Sequence, residues 1–340
     1  YKQSASQWRQ QIVHTVTTQY VRTLVALLYL CAAPAIAEQP LRIGWVYAMA
    51  NAPALIAEEK GFFARHGINT ELRRFNSGPL VMNALKAGDL DLAYIGMPPV
   101  YHAYESATGI RIIAKVNYGQ AAMIVNQDSA IRSLADLKGR RIASIRKGSG
   151  MDVLLRGLVL KEQAGLDPDT DVQIIHMQAR MMEASVEQHV VDAAFTWEPF
   201  VSMATLARDA RVIYDMNEAV PRYPWYVIVS RDTVMQNRRA DVRKVLQAHD
   251  QAIDYLNREQ DASNRIIARA FHVQEIVSLT GALVTADRII HTARQRLGWE
   301  SNFTSQDREF LQKLMDYSHK LGYLKRKLDA GGLIDASLEQ

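Results

Sequence analysis

Residues 68–99 read INTELRRFNSGPLVMNALKAGDLDLAYIGMPP, and their pattern of apolar residues indicates the fold class. Its apolar residues predict strands at 68–75 and 91–95, and the segment between them predicts a helix at 79–87. A strand, a helix and a second strand within about 30 residues form a βαβ unit. Such units favour a mostly parallel sheet that is flanked by helices.

The same alternation continues on both sides of this unit. It predicts further strands at 41–47, 110–117, 121–126, 140–145, 171–176, 192–196, 211–214 and 225–230, and further helices at 52–60, 98–107, 151–164, 179–188 and 198–208. Beyond residue 232 the apolar residues recur with a period of about 3.6, which predicts helices at 238–258, 261–271, 281–297 and 305–321. The chain is therefore expected to be an α/β protein.

An internal echo of the opening stretch occurs 101 residues further along the chain. Residues 68–99 align without gaps to 169–200, where Asp91 matches Asp192 and Pro98 matches Pro199. We interpret this echo as two lobes of similar design. Each lobe would present loops and helix N-termini at the carboxyl ends of its strands, where open α/β sheets bind ligands.

Composition excludes several classes of protein. The chain has 340 residues and a formal net charge of +4, but residues 1–37 contain three basic residues and no acidic one. The near-neutral remainder argues against nucleic-acid binding. Cys31 is the only cysteine, which excludes zinc fingers, iron–sulfur clusters and CxxC redox chemistry. The absence of an HExxH motif, of a dinucleotide GxGxxG motif and of a catalytic constellation predicts a binding protein without cofactor, metal or catalytic residues.

Residues 1–37 have the features of a secretory signal peptide. Basic residues precede a short apolar core at 23–33, and Ala35-Ile36-Ala37 provides an A-x-A cleavage site. The apolar core is shorter than the roughly 20 residues of a transmembrane helix. We therefore predict cleavage after Ala37 and a periplasmic location; retention of the segment as an uncut anchor is the other interpretation.

Four motifs together resemble one family. APALIAEEKGFFARHGINTELRRFNSG (52–78), ALKAGDLDLAYIG (84–96), SLADLKGRRIAS (133–144) and VVDAAFTWEPF (190–200) are similar to the taurine, aliphatic-sulfonate and nitrate family of periplasmic substrate-binding proteins. That family also includes binders of thiamine-precursor pyrimidines. The resemblance implies a monomer that delivers a small-molecule solute to an ABC permease and ATPase.

The resemblance also implies a two-lobed periplasmic-binding-protein fold of the type II kind. Each lobe would carry a mostly parallel sheet, and two hinge strands near 121–126 and 225–230 would connect them. Lobe one would comprise residues 38–121 plus 229–340, and lobe two residues 122–228. The ligand would lie in the cleft between the lobes.

Turns that follow strands supply the predicted anion-binding groups. Ser77-Gly78 and Gly148-Ser149-Gly150 each precede a helix, where free N–H groups and the helix dipole attract anions. At Gly96-Met97 the sequence departs from many sulfonate-binding relatives, which carry serines after the glycine. Proline at position 98 removes a donor there and favours a more apolar ligand edge. Ser77 also suits a plain helix N-cap.

Aromatic residues at strand ends are expected to form an apolar wall, with Glu198 facing a cationic or N–H group of the ligand. An ordinary packing role for the aromatic residues, and a capping role for Glu198, are the alternatives. The full predicted ligand-binding set is Tyr47, Asn51, Ser77, Gly78, Gly96, Met97, Gln120, Gly148, Ser149, Gly150, Trp197, Glu198 and Trp225.

These residues suit a zwitterionic or partly apolar organic anion, of which taurine is an example. A pyrimidine or another heterocycle with N–H groups would use the aromatic wall and Glu198 but little of the anion site. Two functions from other classes also stay open. One is an enzyme resembling pyrimidine-precursor synthases, although that group relies on a cysteine-rich motif that this chain lacks. The other is a sensor domain that binds the same solute.

Overall fold

A computed structural model describes residues 39–338 of the chain. Their strands form two five-stranded sheets and two small two-stranded pairs. The strands are β1 (Leu41–Val46), β2 (Thr70–Phe75), β3 (Leu92–Gly96), β4 (Ile110–Lys115), β5 (Asn117–Gly119), β6 (Ala121–Asn126), β7 (Arg141–Ser144), β8 (Gln173–His176), β9 (Ala193–Trp197), β10 (Ala210–Asp215), β11 (Tyr226–Arg231), β12 (Ile276–Val277), β13 (Leu283–Val284) and β14 (Leu297–Trp299).

Helices connect the strands and make up most of the region after β11. They are α1 (Ala52–Glu59), α2 (Phe62–Arg65), α3 (Gly78–Ala87), α4 (Met97–Glu105), α5 (Gly150–Val153), α6 (Ala179–Glu187), α7 (Phe200–Ala207), α8 (Met216–Ala219), α9 (Asp232–Asn237), α10 (Arg239–Arg258), α11 (Gln260–Ala270), α12 (Ala286–Ala293) and α13 (Ser305–Lys320). A π-helix, Leu154–Gln163, continues α5, and three 3-10 turns lie at Met49–Asn51, Leu134–Leu137 and Ala336–Leu338.

The two large sheets share one topology. The first has the strand order β2-β1-β3-β11-β4, and the second, taken from its β8 edge, has the order β8-β7-β9-β6-β10. In each sheet four strands run in one direction and one strand, β11 or β6, runs against them. The prediction of an α/β fold with two mostly parallel sheets is confirmed, and the chain passes twice between the sheets, before β6 and before β11.

An ion pair is repeated at equivalent places in the two sheets. The Arg42 backbone N–H and side chain donate to Asp91 at 2.8–3.1 Å. Arg141 makes the same three bonds to Asp192, also at 2.8–3.1 Å. Asp91 and Asp192 are the residues that the sequence echo aligns, so in both halves the aligned aspartate joins the start of one strand to the start of its neighbour.

The core extends across both sheets. The central strands are buried on both faces, as parallel sheets covered by helices require. One apolar cluster contains Ile95 beside α3 and α4, Leu314 of α13, and Leu158 of the π-helix. The C-terminal helices therefore contact helices of both sheets: α13 packs on α4 and on the π-helix, and α12 packs on α7.

Two predicted helices differ from the structure. Only Ala286–Ala293 of the predicted helix at 281–297 is helical, because Leu283–Val284 and Leu297–Trp299 form strands. The helix predicted at 151–164 has α geometry only at its start and π geometry over Leu154–Gln163. The predicted signal peptide lies outside the described residues. Within residues 39–338, no helix is long and apolar enough to cross a membrane.

Candidate functional site

The carboxyl ends of the two sheets face each other. Gly150, which follows β7, lies against Pro98 and Trp225, which adjoin the end of β3. A Cβ atom added to Gly150 would lie 2.4 Å from Pro98 Cγ and 2.8 Å from Trp225 Cζ2. The predicted loops of the two sheets therefore meet at the edge where open α/β sheets bind ligands.

The Gly148-Ser149-Gly150 loop keeps its first helical N–H groups free. Gly148, at φ 79°, donates its N–H to Asp152 Oδ2 at 2.9 Å, and Ser149 donates its N–H to the Arg146 carbonyl at 3.1 Å. Ser149 Oγ caps the helix by accepting the Asp152 N–H at 3.3 Å. The N–H groups of Gly150 and Met151 have no acceptor in the described part of the chain. These two donors, with the Ser149 hydroxyl, suit an anion.

The Ser77-Gly78 turn presents a second helix start, with one donor fewer because Pro79 has no N–H group. Ser77 precedes α3 in an extended conformation, but its side chain makes no capping hydrogen bond. Its hydroxyl therefore remains available to a ligand. Gly78 packs against the neighbouring turn, because a Cβ atom there would lie 2.7 Å from Pro99 Cγ.

The third helix start, at Gly96-Met97, offers no free donor. The buried Met97 gives its N–H to the Trp225 carbonyl at 3.1 Å, and Pro98 and Pro99 have no N–H group. Gly96 is in contact with the indole of Trp225, since its Cβ atom would lie 3.9 Å from Nε1. Anion-binding capacity is thus concentrated at the starts of α3 and α5.

Two buried carboxamide oxygens lie at the same sheet edges without a partner. Asn51 donates Nδ2–H to the Val46 carbonyl at 2.8 Å, which leaves Oδ1 as an acceptor. Gln120, at φ 127°, adjoins the end of β9, where its backbone carbonyl accepts the Glu198 N–H at 3.0 Å, and its side-chain Oε1 has no donor in the described part of the chain. Both oxygens are buried and accept no hydrogen bond from any described residue. A buried acceptor is costly unless a donor reaches it, so these atoms point to N–H or O–H groups on a ligand.

The predicted aromatic wall divides into separate parts. Trp225 is buried where the sheet ends meet, and Trp197 is half-buried with its ring edge-on to Phe200 at 5.9 Å. Tyr47 stacks on Phe271 at 4.8 Å and donates its hydroxyl to the Ala270 carbonyl at 3.1 Å. Tyr47 is thus anchored to the end of α11. Of the three aromatic residues, only Trp225 lies directly beside the facing helix starts.

Glu198 has protein partners on both oxygens. Oε2 accepts the Ser202 N–H at 3.0 Å, and Oε1 pairs with the Arg296 guanidinium. Arg296 also donates Nε–H to Asp215 Oδ2 at 2.6 Å. Desolvation raises the pKa of the Glu198 carboxyl, although Arg296 opposes that effect. In this conformation Glu198 is not free to meet a ligand cation, and instead ties the end of β9 to the segment before β14.

Sequence reasoning did not find Asp152, Arg296 or Tyr323. Asp152 has a local signal, because Arg156 lies four residues further along the same helix and pairs with it at 2.8 Å. Arg296 and Tyr323 have no such signal, since their partners are far away in the sequence. Among residues 39–338, no cluster of His, Cys, Asp and Glu side chains is arranged to hold a metal ion.

Two facing α/β sheets with helix starts at their opposed edges define the periplasmic-binding-protein class of fold. The periplasmic aliphatic sulphonate binding protein SsuA of Escherichia coli shares this fold, with a TM-score of 0.75 at 22% identity over 88% of this chain and 92% of SsuA. The fold also accommodates an enzyme: the desulfurization enzyme DszB matches with a TM-score of 0.64 at 17% identity over 88% of this chain and 97% of its own.

The chain belongs to the NMT1-like family, whose model matches residues 35–271. A binding protein of Brucella abortus (strain 2308) is 27% identical over 299 residues, which cover 82% of this chain and 90% of that protein. The taurine-binding periplasmic protein of Escherichia coli (strain K12) is 27% identical over 199 residues, which cover 58% of this chain and 59% of that protein. The resemblance inferred from the four motifs is confirmed.

Proposed function

We propose that this protein is a periplasmic solute-binding protein that captures a small organic anion or zwitterion, of the sulfonate or taurine kind, and delivers it to an ABC importer. The observation that carries the proposal is the pair of free helix starts at Ser77-Gly78 and Ser149-Gly150, on opposed edges of the two sheets. The names of the related taurine- and sulphonate-binding proteins support it.

The proposed ligand follows from the chemistry of the site. The N–H groups of Gly150 and Met151 and the hydroxyls of Ser77 and Ser149 suit the oxygens of an anionic head group. Trp225 offers an apolar surface to the body of the ligand. The oxygens of Asn51 and Gln120 suit an ammonium or N–H group, in place of the engaged Glu198.

The lobes that we propose are residues 38–121 plus 229–340 and residues 122–228. The two chain passages between the sheets would form the hinge. Because the Gly150 loop already lies against Trp225 in this structure, the cleft would open at this hinge to admit the ligand and close again around it. The protein would act as a monomer that delivers its ligand to the permease and ATPase of the importer.

A heterocycle such as a pyrimidine is the second candidate ligand. The buried oxygens of Asn51 and Gln120 favour a ligand that presents two N–H groups. The turn after Gly96 has no free N–H group for an anion, which also favours a ligand that needs fewer anion contacts.

Calorimetry with taurine, ethanesulfonate, nitrate and a hydroxymethyl pyrimidine tests these two proposals. We expect taurine or ethanesulfonate to bind more tightly than nitrate, which cannot use the apolar surface. Trp225→Ala should weaken sulfonate binding about tenfold, because it removes the apolar surface beside the helix starts. Tyr255→Ala, a half-buried aromatic residue on α10, is the control and should change nothing. Tight nitrate binding that is insensitive to Trp225→Ala would contradict the apolar surface at Trp225, and preference for the pyrimidine would favour the second candidate.

Export is proposed from the leader at residues 1–37. Protein recovered from the periplasm should begin at Glu38, as N-terminal sequencing would show. Ala37→Leu should block this cleavage, because the last position before the cut requires a small residue. An intact leader on wild-type protein in the inner membrane would instead show an uncut anchor.

A further inference from the structure

A tyrosine from the C-terminal segment is bonded to the start of α5. Tyr323, three residues after α13, donates its hydroxyl to Asp152 Oδ2 at 2.9 Å. Asp152 is the third residue of α5 and is fully buried. The Tyr323 ring also lies beside the loop, because a Cβ atom on Gly148 would be 4.0 Å from its Cε1.

Asp152 fixes the conformation of the loop before it. Its Oδ2 accepts the Gly148 N–H at 2.9 Å, and its own N–H donates to Ser149 Oγ at 3.3 Å. Its Oδ1 accepts Arg156 Nε–H at 2.8 Å. The carboxylate therefore holds Gly148 at φ 79°, and the N–H groups of Gly150 and Met151 at the start of the helix keep no acceptor among the described residues.

The negative charge of the Asp152 carboxylate lies close to a free helix start and must be compensated there. This charge would oppose an anion at Gly150 unless donors on the protein take up the lone pairs of the carboxylate. Arg156 and the Gly148 N–H supply two of these donors from the same helix and loop. Tyr323 supplies the third and comes from elsewhere in the chain.

The segment that carries Tyr323 is anchored on the first sheet. Ser318 of α13 shares a hydrogen bond of 2.8 Å with the buried Tyr101 of α4, and Lys325 donates its N–H to Glu105 Oε1 at 2.6 Å. Tyr323 therefore links the loop of the second sheet to an element held against the first. Its geometry is set by contacts outside the loop.

We propose that Tyr323 is a positioning residue for the 147–150 loop, acting through Asp152, and that the C-terminal segment is thereby part of the ligand site. The consequence for anion affinity rests on the proposed function. The positioning of the loop does not, because it concerns hydrogen bonds that exist without a ligand.

Tyr323→Phe removes the hydroxyl and keeps the ring. In ligand-free protein we expect the hydrogen-bonded amide hydrogens of Gly148 and Ser149 to exchange about tenfold faster, because the Asp152 carboxylate loses a bond that orients it. Binding of ethanesulfonate should weaken about fivefold to tenfold. Tyr255→Phe, whose hydroxyl makes no hydrogen bond with any described residue, is the matched control and should leave both measurements unchanged.

A double-mutant cycle with Asp152→Asn separates positioning from simple packing. If Tyr323 acts through Asp152, Tyr323→Phe should have little further effect on loop exchange once Asp152 is asparagine. Additive effects, or unchanged exchange in Tyr323→Phe alone, would overturn the proposal even if sulfonates bind. Faster exchange in a protein that binds none of the tested anions would support the positioning and count against the proposed function.

Discussion

Gly150→Val should lower the affinity for the ligand by about 100-fold or more, because a side chain there overfills the contact between the two sheets. The first added carbon alone would lie 2.4 Å from Pro98 Cγ and 2.8 Å from Trp225 Cζ2. Gly150 does not have a positive φ, so the backbone itself accepts valine. Calorimetry with taurine or ethanesulfonate measures the loss, and thermal unfolding shows whether the fold persists.

The matched control is Gly331→Val at an exposed position of the turn at 331–333, which lies outside the part of the chain that carries Tyr323. Gly331 also lacks a positive φ, and its nearest neighbour is the flexible end of the Asp329 side chain, 3.1 Å from an added Cβ atom. This variant should bind as the wild type does. Wild-type affinity in Gly150→Val would show that the two sheet edges do not come together around the ligand.

Arg296→Ala should lower the free energy of unfolding by about 3–5 kcal/mol, because it leaves a buried carboxylate without its partner. The Glu198 side chain is fully buried, and Arg296 joins it to Asp215. Urea unfolding at neutral pH measures this loss. Arg222→Ala, at an arginine whose side chain is 58% exposed, should cost at most about 1 kcal/mol.

The loss in Arg296→Ala should depend on pH. Burial already raises the pKa of Glu198, and removal of the guanidinium raises it further in the folded protein. The folded variant then binds a proton more tightly than the unfolded chain, so its stability falls as the pH rises through the raised pKa and recovers as the pH is lowered. Adding Glu198→Gln should abolish this difference. A deficit that is the same at acid and neutral pH would contradict the buried-charge explanation.

The central strands of both sheets were predictable from sequence because they are runs of buried apolar residues. The prediction at 121–126 matches β6, and the echo aligned Asp91 with Asp192, which occupy equivalent ion pairs. The helix predicted at 281–297 failed because Leu297–Trp299 pairs with Asn117–Gly119, a partner far away in the sequence. A local signal for the true start existed: Thr285 Oγ1 accepts the Arg288 N–H at 3.2 Å and caps the helix.

The turns of the candidate site could be predicted from sequence, but the long-range contacts of its side chains could not. Glycine and serine directly before a helix indicate an N-cap and an anion-binding helix start, so Ser77-Gly78 and Ser149-Gly150 could be chosen from sequence. The state of Glu198 could not, because its partner Arg296 is 98 residues away. Likewise nothing local indicates that Tyr323 meets Asp152 or that Tyr47 is anchored to α11. Such polar contacts depend on the completed tertiary structure.

A crystal structure of the protein with ethanesulfonate would show directly whether the helix starts bind the anion. We expect the anion between the two sheets, with its oxygens within hydrogen-bond distance of the Gly150 and Met151 N–H groups and its ethyl group against Trp225. An empty cleft at a saturating concentration of sulfonate, or an anion bound away from both helix starts, would contradict this expectation.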